Sequence, residues 1–208
     1  MADGGDQTGA EPTVAEGLFE NVSWRSGLVN GIAAYLLGYV IVYVFVYFEA
    51  DGSLNEFLTP GSDPVYEPVG WVFYGAHNVR TSVSNLDGSE NINYLLHADQ
   101  VLGFGIPVVV YYAVPIVVLA FAGYLAARRA NTTRADSGGI AGASIVVGYF
   151  LMALAGSSLF VVLLRGDLIA KPDRTMSLLV VGLAYPIIAG AIGGAIGGAL
   201  GPIRRRIE

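Results

Sequence analysis

The 208-residue chain is 54% hydrophobic and 13% charged, with a net charge of −6 and no cysteine. A soluble domain carries about 25% charged residues, so the composition excludes an ordinary water-soluble globule. The missing cysteines exclude disulfides, thiolate metal sites and cysteine nucleophiles, and the basic residues form only short clusters, which argues against a nucleic-acid partner.

Residues 1–24 carry Asp3, Asp6, Glu11, Glu16 and Glu20 without a base among them. They read as a disordered acidic tail, and 25–208 as one transmembrane domain. Ten of the eleven basic residues are Arg; with the acidic exterior this points to a high-salt proteome.

Four apolar segments, at about 27–48, 104–127, 139–164 and 176–201, are each long enough to cross a bilayer as a helix. The expected fold class is all-α: a polytopic four-transmembrane-helix bundle with a small extracellular insertion, an external mini-domain over 49–98. In the first span Tyr35, Tyr39, Tyr43 and Tyr47 recur every four residues and form an aromatic ridge that faces the core, borders a polar path or holds a ligand, or faces lipid. Within the insertion, Pro60, Pro64 and Pro68 interrupt long helices. Tyr66 to Val79 is apolar but too short to span, and reads as a short helix lying on the membrane surface or capping the bundle. Alternation over 80–84, Asp87-Gly88 and then Ile92 to Leu96 suggest a hairpin. The second span is read as starting at Ala98 or Asp99, with Pro107 and Pro115 inside it. A short loop, with Arg165, Lys171 and Arg174, joins spans three and four. Pro186 is expected to kink the fourth.

The fourth span holds Gly190, Gly194 and Gly198, and in a second set Gly193, Gly197 and Gly201. Glycine every fourth residue lines one side of a helix and admits a neighbouring backbone. This glycine-zipper groove is expected to receive the tyrosine ridge of the first span. Counting Lys and Arg, seven lie on the side of the termini and four on the other. That places both termini in the cytoplasm of a multi-pass cell-membrane protein.

The run Val69-Gly70-Trp71-Val72-Phe73-Tyr74-Gly75-Ala76-His77, joined to an acidic tail and Gly-rich spans, resembles a group of haloarchaeal four-span membrane proteins of no established activity. That group carries a W-x-F-Y-x-A-H box in its first external loop. The resemblance singles out Trp71, Phe73, Tyr74, Ala76 and His77, and implies lineage and a membrane location only.

No ionisable residue lies deep in any span, which weakens proton-coupled transport. His77 and His97, near Asp63, Glu67 and Asp99, lack a recognised metal-ligand spacing and read as hydrogen-bonded structural histidines. Ser157 and Ser158 have no base in their span to activate them. No catalytic, cofactor or metal residue is therefore assigned. The expected role is a non-enzymatic structural or accessory protein whose partners are the bilayer and a second copy or another membrane protein. The alternative is a small permease or channel subunit with a tyrosine-lined path.

Overall fold

A computed structural model describes residues 24–50, 66–84, 88–164 and 168–201. The acidic tail, Pro60, Asp63, Pro64, Asp87, Arg165 and Arg204 to Arg206 lie outside the described residues. Helix α1 (Trp24–Glu49) leads to a short helix α2 (Tyr66–Ala76), the strands β1 (Thr81–Ser84) and β2 (Ser89–Ile92), and helix α3 (Tyr94–Leu102). Helices α4 (Val108–Arg129), α5 (Ala135–Ala143) and α6 (Val146–Leu159) follow. Strands β3 (Val162–Leu164) and β4 (Leu168–Pro172) then lead to a helical turn α7 (Arg174–Met176), a π-helical stretch Ser177–Ala184, and α8 (Tyr185–Ala199).

Four helical stretches are long and apolar enough to cross a membrane: Trp24–Glu49, Val108–Arg129, Ala135–Leu159 and Arg174–Ala199. Because bilayer interiors offer no water, each must satisfy its backbone internally. The chain is thus a multi-pass, mainly helical membrane protein, with both ends of the described chain on one side of the bundle and the strands on the other. The first is the termini side and the second the sheet side.

Two span boundaries differ from expectation. The second span does not begin at Ala98. Asn93 caps a separate helix, its side chain accepting from the Leu96 N–H, and Gly103 ends that helix at φ 64°, a left-handed conformation that favours glycine. Pro107 then stands at the N-cap of α4 instead of inside it. The Glu49 carboxylate at the end of α1 fixes the connecting loop by accepting the Gly105 and Ile106 N–H groups at 2.8 and 2.6 Å. The third span ends at Leu159, because Val162–Leu164 leave the helix to pair with β4.

The loop between spans three and four is a hairpin that joins the insertion. All pairings in the resulting sheet are antiparallel, in the order β2-β1-β4-β3. Thr81 stands opposite Pro172 and Ser82 opposite Lys171.

Glycine sets the closest helix crossings. A Cβ at Gly193 would overlap the Ala120 carbonyl, one at Gly194 the Gly138 carbonyl, and one at Gly198 the Arg134 carbonyl; at Gly190 it would press on Gly142 and Ile145. Gly197 faces Tyr124 and Ala127. So α4 and α5 fill the face of the fourth span that was expected to receive the tyrosines. Gly201 takes no part in the crossing: it follows the helix at φ 57°, a Cβ there would meet nothing, and its carbonyl accepts from Arg128. A second close crossing joins Gly27 and Gly31 of α1 to Ser144, Ile145 and Gly148 of the third span.

The tyrosine ridge does not enter the glycine face. At 3.6 residues per turn an every-fourth repeat winds round the helix by about 40° a step. Tyr35 is accordingly buried at 3% exposure, whereas Tyr47 is 45% exposed. Tyr35 and Tyr39 meet Phe73 of α2, with ring centroids 5.1 and 5.9 Å apart.

The internal filling of the glycine face has a direct test. A Cβ at Gly139 would stand 3.9 Å from that of Ala195, within the roughly 3.5–4.5 Å of a disulfide. In this cysteine-free chain, Gly139→Cys with Ala195→Cys should crosslink within one polypeptide on oxidation and migrate as a monomer on a non-reducing gel. Disulfide-linked dimers would show that the face meets another copy.

Candidate functional site: the inserted helix and its histidine

Helix α2 neither lies on the membrane surface nor caps the bundle. Val69, Val72, Phe73, Tyr74 and Ala76 are at 0% exposure and Trp71 at 2%, so the aromatic box is core and not a working surface. The helix runs antiparallel to α6. The Trp71 indole N–H donates to the Phe160 carbonyl at 2.9 Å, the Tyr74 hydroxyl to the Ala153 carbonyl at 2.7 Å, and His77 reaches Tyr149. Tyr149 lies about ten residues inside the sheet-side end of its span, or roughly 15 Å at helical rise. The insertion therefore delivers its C-terminal end deep into the bundle.

Glycines make room for this descent. A Cβ at Gly70 would meet the Phe160 ring, one at Gly38 the Phe73 ring at 3.2 Å, and one at Gly156 the hydroxyls of Tyr35 and Tyr74. An 11-residue apolar helix with an aromatic residue at nearly every turn is too short to span, but it can bury its whole circumference among longer helices.

At the inserted end, two hydrogen-bond chains are complete. The His77 Nδ1 lies 2.8 Å from the Phe73 carbonyl and Nε2 lies 2.8 Å from the Tyr149 hydroxyl. A carbonyl only accepts, so Nδ1 carries the proton and the Tyr149 hydroxyl donates to Nε2. In the second chain Tyr35 donates to the Tyr74 hydroxyl at 3.2 Å, and Tyr74 in turn donates to the Ala153 carbonyl. The Tyr185 ring lies 5.0 Å from the His77 ring. Asn78, at φ 61°, turns the chain back, and its amide donates to the Tyr185 hydroxyl at 3.3 Å.

No charged group contacts His77 among the described residues. Its burial pushes the imidazole down to about 4, the Phe73 carbonyl pulling weakly upward, so it stays neutral at pH 7. The expectation of no deep ionisable residue concerned the spans alone, and α2 brings the His77 imidazole in from the loop between the first two. His97 is exposed, its ring 6.2 Å from that of Tyr94. Among the described residues no group of three His, Asp or Glu side chains is placed to hold a metal ion. Ser157 and Ser158 both donate to the Leu154 carbonyl. The signal that could have revealed the insertion is the pairing of a short apolar aromatic run with glycines on the facing spans.

Two consequences can be measured. Tyr149→Phe strands the buried Nε2 acceptor, a cost of about 1–3 kcal/mol, and should lower the melting temperature in detergent, while Tyr47→Phe at the exposed end of the ridge should not. The neutral His77 also sets a pH dependence. Between the usual histidine pKa of about 6.5 and about 4, the unfolded chain binds the proton and the folded one does not. Stability should therefore be full above pH 6.5 and fall as the pH drops toward 4. His77→Gln should flatten that fall; an unchanged profile would refute the assignment.

The search among curated proteins and the search among solved structures each returned no match. The family model of DUF7978, a family of unknown function, matches residues 8–201. Since that match takes in all four spans, the inserted helix and the sheet, the chain belongs to DUF7978.

Proposed function

We propose that this DUF7978 member is a non-enzymatic structural or accessory protein of the cell membrane, packed through a glycine-zipper fourth span and oriented with both termini in the cytoplasm. Its partners are the bilayer and a second copy or another membrane protein. The observation that carries this reading is the closed interior at the end of α2. The hydroxyl protons of Tyr35, Tyr74 and Tyr149 and both nitrogens of His77 are spent on one another and on carbonyls, leaving none of these donors free for a solute. The larger number of Lys and Arg on the termini side supports the orientation. The acid-coated, Arg-rich composition and the W-x-F-Y-x-A-H box support a haloarchaeal lineage.

One observation favours the rival permease. Asn78 is exposed beside Tyr185 within the depth of the fourth span, and irregular backbone at such depth is tolerated where it is buried in protein or lines a water-filled cavity. Flux measurements separate the two readings. Proteoliposomes of the full chain should pass protons, Na⁺, K⁺ and small neutral solutes no faster than protein-free vesicles. A flux abolished by His77→Ala or Tyr35→Phe would overturn the accessory reading in favour of a path through the inserted helix.

A further inference from the structure

We infer that the sheet-side rim of the fourth span is a binding site for a phosphate-bearing membrane lipid, formed by Arg80, Lys171 and Arg174 with Asn78 beneath them. Two remote segments build it. The β1–β4 pairing sets Ser82 opposite Lys171 and Thr81 opposite Pro172. One step further, the Asp173 N–H donates to the Arg80 carbonyl at 2.9 Å. Side chains two apart on a strand share a face, so Arg80, Ser82 and Lys171 project from the same side. Arg80 and Lys171 are then diagonal neighbours whose backbones stand roughly 7–8 Å apart. Arg174 opens the fourth span directly after Asp173.

All three cations are exposed, and none has an ion-pair partner among the described residues. The nearest acid in sequence, Asp173, stands opposite Arg80 and keeps its charge while its carboxylate accepts the Met176 N–H at 2.8 Å. Against the one carboxylate of Asp173, three exposed cations leave this rim net positive among the described residues, and a net positive rim draws an anion. Their level selects the source of that anion. Arg174 marks the end of a span, which is headgroup height, where basic residues attract anionic lipid.

The surface below continues as a lipid would require. From Arg80 the exposed side alternates inward, with Val79 buried and Asn78 exposed. Asn78 thus presents its amide below the rim, beside Tyr185. Met176 and Leu179, 49% and 52% exposed, carry an apolar surface from the rim into the membrane for an acyl chain.

Native mass spectrometry of the full chain, released from nanodiscs of equal phosphatidylglycerol and phosphatidylcholine, tests the site. Phosphatidylglycerol should be retained preferentially. Arg80→Gln and Lys171→Gln should each lower its retention about fivefold, the loss expected per cation at a membrane surface, while Arg80→Lys retains most of it. Melting temperatures run in parallel restrict the comparison to folded variants. Arg134→Gln, on the termini side, is the control and should change nothing. Equal retention of the two lipids, indifference to both variants, or an equal loss in Arg134→Gln would overturn the site. Displacement of the lipid by millimolar inorganic phosphate alone would overturn the assignment to a lipid in favour of a free anion.

Discussion

A buried imidazole in a bilayer protein has no water to turn to, and the arrangement around α2 depends on the two hydrogen bonds that His77 makes. Its N–H must find an acceptor and its bare nitrogen a donor, or each would cost about 1–3 kcal/mol. The Phe73 carbonyl and the Tyr149 hydroxyl meet those needs. Because Tyr149 belongs to the third span, this pairing sets how deep the inserted helix travels. The Tyr74–Ala153 and Trp71–Phe160 bonds then follow in order toward the sheet side.

Small residues permit this arrangement twice over. On the termini side, the fourth span presses its glycines against the backbones of α4 and α5, which gives close packing without an aqueous driving force. On the sheet side, Gly38, Gly70 and Gly156 leave the space that Phe73, Phe160 and the tyrosine hydroxyls fill. One half of the bundle is closed by backbone against backbone and the other by a plug of aromatic rings. The β-sheet ties the plug down, since β1 leaves the inserted helix and pairs with β4, which leads into the fourth span. The same pairing gathers Arg80 and Lys171 on one face, so the strands that anchor the plug also shape the charged rim.

Read residue by residue, the chain disclosed its four spans through long apolar runs bounded by charge, and its glycine face through a four-residue repeat. Those signals are local, and lipid forces the helical answer on any such run. The first strand and turn of the hairpin in the insertion were legible for the same reason, from alternation before a turn, but its second strand is Ser89–Ile92, and most of the Ile92 to Leu96 run expected there opens α3 instead. The partner of each face was not legible. The tyrosine ridge and the glycine face looked complementary, yet an every-fourth repeat winds away from any single neighbour, and α2 took the Tyr35 end.

What the sequence determined by itself is the membrane class, the number of apolar crossings and the positions where backbones approach closely. Only the tertiary structure decided that the Trp71 to His77 box is buried, that a loop residue carries an imidazole deep into the bundle, and that two distant loops form one sheet. The physical reason is that a short apolar helix carries the same local pattern whether it rests on a membrane or sinks into a protein. The difference lies in cavities and hydrogen-bond partners supplied by α1 and α6, which are remote along the chain and meet α2 only in the folded bundle.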